Sequence, residues 1–120
     1  MAPDTPGDPR TRLPLKHVDF QILLVLADRD LHGYGLVKEI EVRTEGRFSL
    51  EPGNLYRYVG RLVDQDLVAR AERRPAADAQ DERRRYYRIT EFGRQVLSAE
   101  AARLKALVEA VERRTPLPEG

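Results

Sequence analysis

The stretch Pro52-Gly53-Asn54-Leu55-Tyr56-Arg57-Tyr58-Val59-Gly60-Arg61-Leu62-Val63-Asp64-Gln65 decides the fold. Proline is favoured in the first turn of a helix, where its missing N–H costs nothing. Leu55, Val59, Leu62 and Val63 recur at helical spacing and form an apolar stripe. The opposite face carries Asn54, Arg57, Tyr58, Arg61 and Gln65, with Tyr56 beside them. Gly60 inside such a helix costs about 1 kcal/mol relative to Ala, which a tight packing contact would explain. A helix with one apolar and one polar face docks on a domain and presents the other side, so its neighbours in the chain say which domain.

Upstream, Val18, Ile22, Leu23 and Leu26 predict a first helix over residues 17–28. Asp28-Arg29-Asp30 breaks it, and the two glycines of His32-Gly33-Tyr34-Gly35 suit a tight turn or helix start. Leu36, Val37 and Ile40 mark a second helix that stops near Thr44, with Glu45-Gly46 as its C-terminal cap. Phe48-Ser49-Leu50 is expected as a very short strand. Downstream, residues 67–72 read as a strand of modest propensity and residues 85–89 as a stronger one. The polar stretch 74–84 between them makes a β-hairpin. Alternation puts Tyr87 and Ile89 on the core face, and Arg84, Tyr86 and Arg88 on the exposed face. Thr90 reads as an N-cap, with Glu91 in the first turn of a last helix over 91–114 that Thr115-Pro116 ends. The order implies an α+β, mostly α fold. A winged helix-turn-helix spans 13–90, a long dimerisation helix spans 91–114, and residues 1–12 and 115–120 are disordered tails.

The bulk numbers bound the function. A chain of 120 residues supports one domain, and 41% hydrophobic content supports a modest core. Charged residues make up 34%, yet net charge is only +1, so charge distribution rather than total charge must single out a partner. The absence of cysteine excludes disulfide frameworks and Cys-based zinc sites and fits a cytoplasmic protein. No apolar run approaches the ~18 residues of a membrane span, so no membrane partner is expected. His17 and His32 are the sole histidines, and no HExxH, Walker loop or GxSxG occurs. No enzyme activity, metal or cofactor is therefore expected, and His32 reads as a hydrogen-bonding turn residue.

Three features carry a binding function. First, Asn54, Arg57, Tyr58 and Arg61 supply the amide, guanidinium and hydroxyl groups that reach base edges and phosphates, although any amphipathic surface helix has a polar face. Second, Arg73 and Arg74 close one hairpin strand while Arg83, Arg84 and Arg85 open the next. Such crowding of like charge needs counter-charge. Asp78, Asp81 and Glu82 supply part of it, and a phosphate backbone supplies it better. Third, Leu97, Ala101, Leu104, Val108 and Val111 step by 4, 3, 4, 3 along the last helix, as in a coiled-coil seam. That seam is covered either by a second copy, giving a homodimer, or by its own domain. A winged-helix module binding an acidic protein instead of DNA is the alternative that near-neutral charge leaves open.

Leu31-His32-Gly33-Tyr34-Gly35, Pro52-Gly53-Asn54-Leu55-Tyr56 and Arg84-Arg85-Tyr86-Tyr87-Arg88-Ile89-Thr90-Glu91-Phe92-Gly93 together resemble the PadR family of transcriptional regulators, over about residues 13–111. The short C-terminal helix resembles the subgroup that dimerises through one helix. The resemblance implies a repressor that binds an inverted-repeat double-stranded DNA operator as a homodimer and is released by a small-molecule effector or another signal. It implies that Asn54, Tyr56, Arg57 and Arg61 approach the major groove, with Arg84 and Arg85 in the wing touching the backbone. Two residues depart from the family pattern. Glu51 stands where a Ser often caps the helix, and Asn54 stands where a small hydroxyl residue is usual. Asn is long enough to bond adenine bidentately. The chain has no Trp, so the aromatic-drug mode of some relatives is not implied.

Overall fold

Apolar residues at helical steps organise most of the chain around one helix. In order, the computed structural model has a 3-10 turn (Pro9–Arg12), α1 (His17–Asp28), β1 (Leu31–His32), α2 (Gly33–Arg43), α3 (Pro52–Asp64), β2 (Val68–Ala71), β3 (Tyr86–Ile89) and α4 (Glu91–Arg114). Residues 7–71 and 86–114 are described. The hairpin loop, with Arg84 and Arg85, lies outside the described residues, as do 1–6 and 115–120. α1 sits at the centre and packs on α2, α3, α4 and β3. Its Ile22, Leu23, Val25 and Leu26 are all buried. Leu36, Ile40, Leu55, Val59, Leu62, Leu67 and Val96 complete the same core. The result is a winged-helix-type fold, with a small antiparallel sheet and a long last helix.

Local chemistry sets the element ends. His32 Nδ1 accepts a hydrogen bond from the Gly35 N–H at 3.1 Å and so caps α2. After α2 the chain turns through Glu45 (φ 55°) and Gly46 (φ 78°), and the Gly46 N–H donates to the Glu41 carbonyl at 2.8 Å. Glycine tolerates that left-handed backbone at little cost. The Thr90 hydroxyl accepts from the Gly93 N–H at 2.9 Å and donates to the Asp66 carbonyl at 2.6 Å, fixing the start of α4 against the turn before β2. Gly93 meets that same turn. A Cβ there would collide with the Leu67 carbonyl oxygen and with Ile89.

Several expectations are corrected. Phe48-Ser49-Leu50 is not a strand. The Thr44 hydroxyl has the Ile40 and Phe48 carbonyls at 2.9 and 3.0 Å as acceptors to share its one proton and accepts from the Phe48 N–H, which ties Phe48 back to the end of α2. The additional strand is β1, which pairs antiparallel with β3 through Leu31↔Tyr87 and His32↔Tyr86. β3 is therefore central in the order β1-β3-β2. That position buries Tyr86, which was expected on the exposed face. The His32 ring packs edge-on against Tyr86, with centroids 5.4 Å apart. Gly60 makes no tight contact, since a Cβ there meets nothing within 4 Å. Within the expected tail 1–12, residues 9–12 form a 3-10 turn that packs on α4. Asp8 caps it by accepting from the Arg10 N–H at 2.9 Å, and the Arg12 guanidinium lies 5.5 Å from the centre of the Phe92 ring.

Two buried charges had no sequence signal. Asp19 on α1 is 5% exposed and Glu100 on α4 is 1% exposed. Burying an unpaired carboxylate is costly, so each must find partners. Glu100 accepts from Arg103 at 2.5 and 3.0 Å and from the Leu15 N–H at 2.9 Å. The Arg103 hydrogen bonds hold its carboxyl below the ordinary carboxylate range, against the upward push of burial, and the Leu15 N–H adds to the lowering. Asp19 is satisfied by α3.

Candidate nucleic-acid interface

α3 follows α2 through the Thr44-pinned turn, which is the helix-turn-helix arrangement. Leu55, Val59 and Leu62 anchor α3 to the core, with Tyr58 and Val63 packed beside them, and the first turns face outward. Glu51 precedes the helix without a side-chain capping bond. The Glu51 carbonyl takes the backbone N–H groups of Asn54 and Leu55 at 2.9 and 3.1 Å.

The predicted site residues separate into two groups along this helix. Asn54, Tyr56 and Arg57, on its first turns, are exposed. Arg57 Nη2 lies 3.4 Å from Asn54 Oδ1, a long contact that leaves both groups able to turn to another partner. Tyr58 and Arg61 are half-buried instead. Arg61 Nη2 donates to Asp19 Oδ1 at 2.8 Å. Tyr58 packs against the core, and two guanidinium groups lie over its ring, Arg57 at 5.5 Å and Arg61 at 5.3 Å from its centre. The chain Arg57–Tyr58–Arg61–Asp19 ties the exposed start of α3 to buried α1. The sequence reading placed Arg61 among groove-facing residues; the structure gives it a partner within the domain. Its guanidinium has N–H groups beyond the one given to Asp19. Arg84 and Arg85 lie outside the described residues.

The sequence reading missed Asp19, whose acidic side chain on the core helix α1 is matched only by a residue 42 positions later. It also passed over the start of α2. Tyr34 is exposed there, with the Lys38 ammonium 6.0 Å from its ring centre. The surface around the starts of α2 and α3 thus offers an amide, phenols, an ammonium and a guanidinium, which suit phosphate oxygens and base edges. Among the described residues, no group of three or more His, Cys, Asp or Glu is arranged to hold a metal ion, and no helix is long and apolar enough to cross a membrane.

Of the apolar seam residues expected on α4, Leu97 packs into its own domain's core. Leu104, Val108 and Val111 are exposed, and Leu107, which the heptad spacing skipped, is exposed beside them. Ala101 is also exposed.

Known proteins share this arrangement. An uncharacterised protein of Lysinibacillus sphaericus is 31% identical over 97 residues, covering 78% of this chain and 85% of that protein. The transcriptional regulator YqjI of Escherichia coli is 29% identical over 93 residues, but this chain spans only 42% of its length. A PadR family transcription regulator from Clostridium difficile superposes with TM-score 0.67 at 22% identity, covering 82% of this chain and 97% of that one. Another from Eggerthella lenta gives TM-score 0.60 at 26% identity, covering 92% and 87%. The sequence pattern of the PadR-like transcriptional regulator family matches residues 22–99. This chain therefore belongs to the PadR-like family of transcriptional regulators.

Proposed function

We propose that this regulator acts as a homodimeric, cytoplasmic repressor that binds double-stranded operator DNA, without catalytic activity. The observation that carries the reading is the exposed cluster Asn54, Tyr56 and Arg57 on the first turns of a helix whose Leu55, Val59 and Leu62 dock on the core and whose Arg61 is paired within the domain. Asn and Arg are the side chains best suited to bidentate contacts with adenine and guanine. The wing arginines, Arg84 and Arg85 among them, supply sequence-independent affinity for phosphates. The exposed stripe of α4 pairs with a second copy, and two α3 helices then meet successive major grooves about one helical turn apart. An effector that shifts this pairing would release the operator, as the family resemblance implies.

The test is to let the purified protein select duplexes from a random pool, then titrate the selected and a scrambled duplex by gel shift. The selected duplex should bind at least about a thousandfold tighter at physiological salt, with steep salt dependence. Arg57→Ala should relax the preference at one base position, costing about 1–3 kcal/mol, whereas Arg85→Ala should weaken binding to every duplex. Equal, weak affinity for both duplexes overturns the reading and favours a protein partner.

A further inference from the structure

Gly33 opens α2 and is buried. Its φ is not positive; among the described glycines only Gly46 has that backbone. Neither helix geometry nor capping therefore requires glycine at 33, and alanine is the better helix former. The requirement comes from α3. A Cβ at position 33 would meet Tyr56 Oη at 2.8 Å and Tyr56 Cε1 and Cζ at 3.0 Å. The tip of the Tyr56 ring occupies the space that any other residue at 33 would fill. Tyr56 is nonetheless 55% exposed, so one side of the ring rests on α2 and the other is open.

We propose that Gly33 is a positioning residue for DNA binding: its missing side chain seats the Tyr56 ring on α2 and so sets where the Tyr56 hydroxyl meets a backbone phosphate. The inference rests on the DNA-binding reading above. The colliding atoms belong to the free end of an aromatic side chain and not to the backbone. A methyl group at 33 therefore displaces the ring toward solvent and leaves the fold intact. A hydrogen bond to phosphate tolerates only a few tenths of an ångström, so that displacement is felt at the DNA.

The test compares wild type, Gly33→Ala, Tyr56→Ala and the double variant. Thermal melting, the Tyr56 ring resonances of the free protein (assigned by their loss in Tyr56→Ala) and gel-shift affinity for the wild-type-selected duplex are measured. Gly33→Ala should move the Tyr56 resonances, keep the melting temperature, and weaken binding by roughly two- to tenfold. In the Tyr56→Ala background the same substitution should change affinity by less than about twofold. Equal weakening in both backgrounds overturns the inference, as do unmoved ring resonances. If Gly33→Ala instead melts early, adding Tyr56→Ala should restore the melting temperature, and failure to restore it overturns the contact. A wild-type protein that enriches no duplex overturns the DNA reading and the role built on it, whatever the ring resonances show.

Discussion

Residues 91–100 of α4 lie against the domain, whereas residues 101–114 are mostly exposed among the described residues. The first part buries Phe92, Gly93, Val96 and Glu100. The second exposes Leu104, Leu107, Val108 and Val111, at positions i, i+3, i+4 and i+7 along one face. The same helix thus serves as core at one end and as an uncovered apolar stripe at the other. A run of 24 residues is roughly 36 Å long, and its buried residues all lie in the first part. The difference shows that one continuous apolar spacing conceals two kinds of burial. Only the exposed part is available to a second chain.

Substitutions along α4 test that division. Gly93→Ala should have the largest effect, because the added methyl meets the backbone of Leu67 and neither side can swing away. A loss of about 3 kcal/mol or more is expected, read as a fall in melting temperature of roughly 10 °C or more. A fall of only a few degrees would mean that the start of α4 is loosely packed.

Glu100→Gln comes next, at about 1–2 kcal/mol, since it weakens hydrogen bonds to a half-exposed Arg103. Its pH dependence has a definite sign. The Glu100 carboxyl is held below the ordinary carboxylate range in the folded state, so its contribution is full above that range. It fades as pH falls through the lowered value. Thermal melts of wild type and Glu100→Gln should therefore differ most near neutral pH and converge in acid. A gap that is constant with pH would assign the effect to packing alone.

Leu104→Asp should have the smallest effect on the fold, within about 0.5 kcal/mol for the isolated chain. Its effect on assembly should be clear: sedimentation at micromolar concentration should give a dimer for wild type and a monomer for the variant. A monomeric wild type would break the comparison at its outer end.

The helices were readable in the sequence because their signals are local. The apolar steps of α1, Pro52 at the start of α3, Glu45-Gly46 after α2 and the Thr90 cap all act within a few residues, and these boundaries appear where the pattern put them. What escaped was set by residues far apart in the chain. β1 is two residues long and exists because β3 lies beside it. The burial of Tyr86 follows from that pairing. Asp19 and Glu100 look like surface charges until Arg61 and the Leu15 N–H meet them. At the candidate interface the exposure of Asn54 and Arg57 was legible from helical phase, and Tyr56 was pointed to by the family resemblance. The pairing of Arg61 was not legible, because it depends on where Asp19 of α1 lies.

The bond from the Leu15 N–H to Glu100 joins residues 85 positions apart. Closing a loop of that length costs about 4 kcal/mol of chain entropy. The packing of α1 on α4 closes nearly the same loop, so the bond adds to the stability of the folded chain with little further entropy to offset it.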